Sequence, residues 1–490
     1  MPKSFSKKNL LFIFSFAVLI AISTVTVYFI DYIQWLFIGL VFLVLMLFAL
    51  RFPFYSFLLF VIALPFEAAF VFEIGFTIRL SYILLAITIL GLFFSVRKLH
   101  FKSALNIPIF VFLGISTLSL IMIIFSPPPE VNLAEIMEYR GSAMRPIIQL
   151  LLLFFFVAAY FLTIHFCSNK KKLDIILKTY IGIASLIALY GIYQFFTIKF
   201  NLPFINITNA ISTGGHGYGV SYYNSPSLFR PHATFQEPLN FGHYLLSVLP
   251  FLIAIHLFRR KEKKNGEIFL KVKFLPVLIL MMSFALFLTK SRGAWLGFLI
   301  ALIFLLIMTR MKHKLKLIGF LILVCLIVGL FSFFYFPAVY QTIPQRFIYR
   351  FSLDPRLTYY SFIFNLWKQY PILGVGFGNY GWYAASYFSS SLLVSAHGVF
   401  QEFLIETGIL GFLSLIFLVF IYYRIMFRAL KKNKDTPWYP YILGFLACFT
   451  AMMVQYLTFG DRFSLYFWVL LGISIATLRL IKKEKILVND

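Results

Sequence analysis

The sequence predicts an all-α, polytopic integral membrane protein, and three observations predict it. Of 490 residues, 61% are hydrophobic and only 12% are charged, against roughly 45–50% apolar and about 25% charged in soluble domains. The apolar residues come in runs long enough to cross a hydrocarbon core of roughly 30 Å, which takes about 20 helical residues. The basic residues fall between those runs, with a strong bias to alternate sides. This composition excludes a soluble globular enzyme. With 64 phenylalanines and 20% aromatics, it also excludes a polar disordered chain. The runs are too continuous for barrel strands, which alternate over about ten residues. Cys167, Cys325 and Cys448 contain no CxxC pair, so neither a disulfide framework nor a zinc site is expected.

About 14 transmembrane helices are expected, within a range of 12–14, in one integral membrane domain covering 1–490. The first, 10–30, follows a basic stretch from Met1 to Lys8 and is longer than a signal-peptide core, so it reads as an uncleaved span. Next come 32–50, ending on Arg51, and 53–72, which carries Glu67. The run 80–96 ends on Arg97, and 107–126 stops at the three prolines 127–129. Runs 146–167 and 175–197 flank a lysine cluster, and 242–258 ends on Arg259 and Arg260. A turn of a few residues separates 274–289 from 294–309. The last four are 317–336, 403–423, 438–458 and 463–481.

With both termini cytoplasmic, 31 of the 43 Lys and Arg residues lie inside. The same bias appears at every reversal of the chain. The formal charge of +26 is therefore a topology signal, and inner-leaflet lipid headgroups are sufficient partners for it. No nucleic acid is implied. Three segments on the other side are long, at roughly 127–145, 198–241 and 337–402. Function tends to sit on loops held by a rigid scaffold.

Twelve basic residues remain outside, where they are disfavoured: Arg79, Arg140, Arg145, Lys199, Arg230, Lys290, Arg292, Arg346, Arg350, Arg356, Lys368 and Arg462. Snorkelling at helix ends accounts for Lys199, Arg346 and Lys368. Arg292 sits in a turn tight enough to hold its guanidinium near the membrane surface. FRPHATFQEPLN (229–240), with Arg230 and Glu237, runs into a span through two prolines. Its polar residues fit either ordering of the loop or contact with a ligand. An amphipathic stretch begins at Arg356, and a GxGxG string (374–378) follows. Without a preceding strand it is no dinucleotide loop; it suits tight turning and close backbone approach. His397 stands at the outer mouth of a span, ahead of Glu402 and Glu406, which share a face one turn apart. Ionisable groups at such a place are costly and tend to be functional, although a carboxylate there can also simply pair with a basic neighbour.

No ATP is present at an outer membrane face, so a transfer reaction there needs a pre-activated substrate. A sugar linked by diphosphate to a polyprenyl lipid meets that need. Its leaving group is a weak base and requires positive charge, which arginine forks supply without a metal. The attacking sugar hydroxyl needs a base of near-neutral pKa, which histidine provides. Arginines and one histidine thus make a coherent set for metal-free glycosyl transfer with no cofactor. A lipid or polysaccharide transporter (flippase) is the rival class. It calls for ionisable residues near the midplane and paired broken helices, and Glu67 is the main candidate for such a residue.

SRGAW (291–295), the stretch from Arg356 through the PxxGxG ending at Gly376, and the pattern from His397 through Glu402 to GILG (408–411) resemble the O-antigen ligase and O-antigen polymerase superfamily. FRPHATFQEPLN is similar to a loop of that family, and the resemblance covers roughly 225–480. It implies a multi-pass glycosyltransferase of the bacterial cytoplasmic membrane, facing outward. The implied donor is an undecaprenyl-diphosphate-linked glycan, and the acceptor another glycan or lipid. Arg292 and Arg356 look like the family's diphosphate-binding arginines, and His397 like the residue that activates the acceptor. Arg230, Glu237 and Glu402 are further candidates for substrate binding. The family often has Asn after this histidine, where this chain has Gly398. Members divide into polymerases of repeat units and ligases of finished glycan, and polymerisation is the expectation here.

Overall fold

The computed structural model describes residues 31–69, 71–73, 77–95, 101–129, 144–203, 205, 207, 229–258, 274–309, six positions between 314 and 326, 355–389, 396–460 and 462–489. The expected span 10–30, most of 317–336 and the greater part of the three long loops lie outside the described residues. The chain divides into two compact units, one of residues 1–60 with 82–99, the other of 61–81 with 100–490.

The smaller unit contains α1 (Asp31–Arg51), most of α2 (Pro53–Ala63) and most of α3 (Leu80–Ser95). Small residues let these helices approach: a Cβ on Gly91 would lie 2.8 Å from the carbonyl oxygen of Ala49, the packing mode favoured where no water drives helices together. Ser56 and Thr88 share a hydrogen bond of 2.9 Å within it.

The larger unit opens on a correction. A span over 53–72 is expected, but the helix stops at Ala63. Pro65 follows, which has no N–H to extend the ladder, and then Glu67. A two-stranded antiparallel hairpin takes the place of the helix, pairing Val71–Glu73 with Thr77–Arg79. The helices of this unit are α4 (Asn106–Phe125, tightened at Ser119–Ile121), α5 (Met144–Phe166), α6 (Lys170–Lys199), α7 (Pro238–Leu246), α8 (Leu249–Phe258), α9 (Leu275–Leu288), α10 (Arg292–Met308), α11 (Pro355–Gln369), α12 (Tyr380–Tyr387), α13 (Val399–Lys432), α14 (Tyr439–Tyr456) and α15 (Leu465–Asn489). Among the described residues, seven helical segments are long and apolar enough to cross a membrane, and four more apolar helices are shorter. This is an all-α multi-pass membrane protein.

The core of this unit lies around α7–α8, α14 and α15, where almost every residue is buried. α7 and α8 are one span with a break at Ser247–Val248. Pro250 cannot donate to the turn before it, and Ser247 Oγ is held instead by Tyr180 (2.6 Å) and the Tyr244 carbonyl (2.6 Å). Glycines again set the crossings. A Cβ on Gly297 of α10 would lie 2.5 Å from the Ala451 carbonyl oxygen of α14, and a Cβ on Gly242 of α7 would lie 2.9 Å from the Ala294 Cβ of α10. The faces of α4, α5 and α10 turned away from this core expose Phe110, Leu151 and Leu299, as surfaces facing lipid do.

Candidate active site

The loop ahead of α7 is a fixed structure. Gln194, fully buried on α6, accepts hydrogen bonds at Oε1 from the backbone N–H groups of His232 (3.0 Å) and Ala233 (2.9 Å). Its amide nitrogen lies 3.2 Å from His232 Nε2, while His232 Nδ1 lies 2.7 Å from the Phe235 carbonyl. That carbonyl can only accept, so Nδ1 carries the proton and Nε2 accepts from Gln194. Burial holds the His232 pKa below its ordinary value, and the ring is neutral. On the other side, Thr234 binds the Pro65 carbonyl through its hydroxyl (2.6 Å), and its own carbonyl accepts from Ala68 N–H (2.8 Å). Asn240 donates to Glu67 (3.1 Å), whose other oxygen lies 3.8 Å from Arg79. Glu67 thus belongs to the scaffold of the loop. Glu237 takes the residue before Pro238, in extended conformation, at the start of α7.

Turn 289–291 meets that loop. Ser291 caps α10 by accepting from Ala294 N–H (3.4 Å), and Trp295 stacks on Phe287 while donating to the Leu286 carbonyl (3.1 Å). The α9–α10 hairpin is therefore closed rigidly. Two cations then bracket the two segments reciprocally. Arg230 Nε donates to the Thr289 carbonyl (2.8 Å), and Lys290 Nζ donates to the Phe229 carbonyl (3.1 Å). Arg292 stands at the first position of α10, exposed.

His397 has a left-handed backbone, φ 55°, just before α13. Its ring meets Tyr359 edge-on at 5.1 Å. Tyr359 lies on α11, one turn after Arg356, so the helix carrying Arg356 borders the histidine. Beyond His397, Val399 N–H donates to the Phe459 carbonyl (3.1 Å), and Gln401 Nε2 to the Leu457 carbonyl (3.1 Å). Gly398 leaves the space that the Gln401 side chain fills; a Cβ there would also come within 2.7 Å of the Leu457 carbonyl. The departure from the family's Asn thus has a local physical reason.

Residues 457–459 join these parts. On one side they hold the His397 turn. On the other, a Cβ on Gly293 would lie 2.5 Å from Thr458 Oγ1, so the Arg292 turn packs against the same corner. Gln455 ties it to α7 through the Leu239 carbonyl (3.0 Å). Arg292, Arg230, His397 and the helix of Arg356, which are 167 positions apart at most in sequence, gather at one end of the bundle.

The carboxylates behind His397 serve a different purpose. Arg462 donates to Glu402 from Nε (3.0 Å) and from Nη2 to both Glu402 (2.8 Å) and Glu406 (2.5 Å). It also reaches Gln149 (3.4 Å) and lies over the Phe377 ring. Glu406 in turn accepts from Tyr380 N–H (3.2 Å), at the end of the GxGxG turn. That turn fills a break in α13 at Gly408 (φ 63°, ψ −165°). Val375 N–H donates to the Ile405 carbonyl (2.9 Å), and Ile409 N–H to the Pro371 carbonyl (2.8 Å). The three glycines 374, 376 and 378 all have positive φ, the conformation in which glycine has no Cβ penalty. Arg462 and Lys290 were singled out in the sequence only as cations on the disfavoured side, with no role at the site, and Gln194 was missed. A polar residue inside an apolar run was the available signal for Gln194.

Among the described residues, no group of three or more His, Cys, Asp or Glu is arranged to hold a metal. No curated protein matches the chain. The family model described as O-antigen ligase matches residues 277–416, which include Arg292, Arg356, His397 and Glu402 but not Arg230 or Glu237. Residues 277–416 of this membrane protein thus match the O-antigen ligase family, which supports the resemblance to the O-antigen ligase and polymerase superfamily over that stretch.

Proposed function

We propose that this protein is a metal-free glycosyltransferase working at the extracytoplasmic face of a bacterial cytoplasmic membrane. It polymerises undecaprenyl-diphosphate-linked glycan units into surface polysaccharide. Arg292 and Arg356 hold the donor diphosphate, with Arg230 behind them. His397 takes the proton of the acceptor hydroxyl as its oxygen bonds to the anomeric carbon. The bond from that carbon to the diphosphate breaks, and the lipid diphosphate leaves with the electron pair. Charge developing on it meets guanidinium groups already in place, and such preorganisation carries much of an enzyme's rate enhancement.

The single observation that carries this reading is the 457–459 corner, against which the turns of Arg292 and His397 both pack. Transfer of finished glycan to a separate acceptor is the second reading, favoured by the ligase description of the matching family. Purified protein incubated with a lipid-diphosphate oligosaccharide tests both: a ladder of products means polymerase, and transfer only to an added acceptor means ligase. Activity persists in EDTA; loss on chelation with rescue by a divalent ion would remove the metal-free mechanism. Arg292→Lys lowers turnover strongly, because a point charge cannot reproduce two parallel hydrogen bonds. Near-normal turnover in that variant would reduce Arg292 to a helix anchor.

A further inference from the structure

The aromatic rings beside His397 do not end at Tyr359. Phe388, at the C-terminus of α12, lies 4.4 Å from Tyr359 between ring centres, and Tyr387 lies 4.9 Å from Phe388. Phe362 of α11 closes the set, 5.5 Å from Phe388 and stacked on Tyr387 at 4.4 Å. An unbroken line of rings thus runs from the imidazole, which meets Tyr359 at 5.1 Å, to the end of α12.

The base of this line is fixed and its outer end is exposed. Phe362 is buried in a cluster with Tyr380 and Ile405, and Phe388 packs against that cluster. Tyr383 ties α12 to the end of α4 by donating to the Ser126 carbonyl (3.0 Å). Tyr359 and Phe388 are half-buried, while Tyr387 is 60% exposed. The floor has one polar defect. The Tyr380 hydroxyl, in a residue 1% exposed and 6.2 Å from Phe362, has no hydrogen-bond partner among the described residues. Contiguous exposed apolar surface marks a binding site more often than it marks ordinary surface. Anchoring in the membrane interface is another use of exposed rings, but it does not explain a line that starts on the imidazole of the proposed base.

The mechanism above places the acceptor hydroxyl on His397 as it loses its proton. The sugar that carries this hydroxyl must then lie against the neighbours of the imidazole, and Tyr359 is the neighbour that meets the ring. A pyranose suits such a surface. Its faces carry C–H groups, slightly positive at hydrogen, which pack on the negative face of an aromatic ring. Its hydroxyls point outward from the ring edge, where they stay hydrated or find polar partners. We propose that Tyr359, Phe388 and Tyr387 form the acceptor subsite, on which a sugar ring stacks with its reacting hydroxyl at His397. This rests on the transferase reading and adds to it the residues that hold the second substrate.

The probe is the free repeat-unit saccharide, released by mild acid from the lipid-linked glycan of the cells that make this protein. Without a diphosphate it has no leaving group. Its binding to purified full-length protein is measured by saturation-transfer NMR, and binding of undecaprenyl diphosphate is measured separately by calorimetry. Wild-type protein binds the saccharide and saturates its ring C–H protons most strongly. Tyr387→Leu keeps apolar bulk but removes the ring, and weakens the saccharide about three- to tenfold, the scale of one aromatic contact. Its melting temperature and its affinity for undecaprenyl diphosphate stay as in the wild type. Tyr387→Phe keeps the wild-type saccharide affinity. Unchanged saccharide affinity in Tyr387→Leu would overturn the proposal and leave the ring as a membrane anchor. Equal weakening in Tyr387→Phe would overturn it too, as would a parallel loss of undecaprenyl diphosphate affinity or wild-type protein that does not bind the saccharide. None of these readouts depends on turnover. Saccharide binding of this kind by a protein that transfers no glycan would end the transferase reading and keep the site, while an active transferase indifferent to Tyr387→Leu would do the reverse.

Discussion

Replacing His397 by asparagine lowers glycan transfer by about 10²–10⁴-fold, the usual contribution of a positioned general base. Membrane insertion and donor binding stay as in the wild type. Asparagine is the informative substitution because His397 has φ 55°, a backbone conformation that Asn and His accept more readily than most residues. Alanine would mix the loss of a base with backbone strain, and strain at a left-handed position is of order 1–3 kcal/mol. The separation of effects follows from the architecture. In the proposed mechanism the donor is held from the 289–292 turn and from α11, while His397 is held by Tyr359 and by the 457–459 corner. Loss of the imidazole should therefore appear in kcat and leave the donor KM in place. Steady-state measurement on purified protein with varied lipid-diphosphate donor reads both. Turnover in His397→Asn equal to wild type would remove the histidine from the chemistry and leave the mechanism without a base.

Much of this arrangement is legible in the sequence, for physical reasons that differ by element. The apolar runs 146–167 and 438–458 appear within a few residues as α5 and α14, with Pro146 and Pro440 in their first turns, where proline is tolerated. The run 53–72 fails because hydropathy averages over Pro65, while the backbone responds to that one missing donor. Arg292 and His397 stand out because they occupy places that cost free energy. The unusual backbone was legible at GxGxG, since only glycines relieve positive φ in three alternate positions. Its purpose was not legible. The break at Gly408 that it fills lies about 30 residues later, and nothing local connects the two. Arg462 stood out as an outside cation, but its role was hidden for the same reason. Its carboxylate partners are 56 and 60 residues away, and only the fold brings them within hydrogen-bond reach. Gly398 shows the converse case. It departs from the family pattern in sequence, but in three dimensions Gln401 uses the room that the missing side chain leaves.

Arg462→Ala is expected to be the most destabilising single substitution at this end of the molecule. Removing one partner of a buried ionic cluster costs about 3–5 kcal/mol, because charge is left buried without compensation. Here two carboxylates lose one guanidinium, and Glu402 and Glu406 are 6% and 1% exposed. The damage also travels. Glu406 holds the N–H of Tyr380, so one of the tethers of the GxGxG turn is weakened. Glu402 sits on the first turn of α13, directly after His397, so the histidine loses the clamp behind it. A marked fall in melting temperature in detergent, together with loss of transfer in the fraction still folded, is the expected result. The triple variant Arg462→Ala, Glu402→Gln, Glu406→Gln separates electrostatics from shape. Neutral amides remove the repulsion and the desolvated charge, so much of the thermal stability returns. Transfer does not return with it, because an amide pair no longer pulls the 457–463 segment onto α13. If Arg462→Ala melted at the wild-type temperature, the cluster would hold nothing. If the triple variant recovered transfer as well as stability, His397 would owe its position to packing alone, through Tyr359 and the Val399–Phe459 bond, and Arg462 would have no part in placing it.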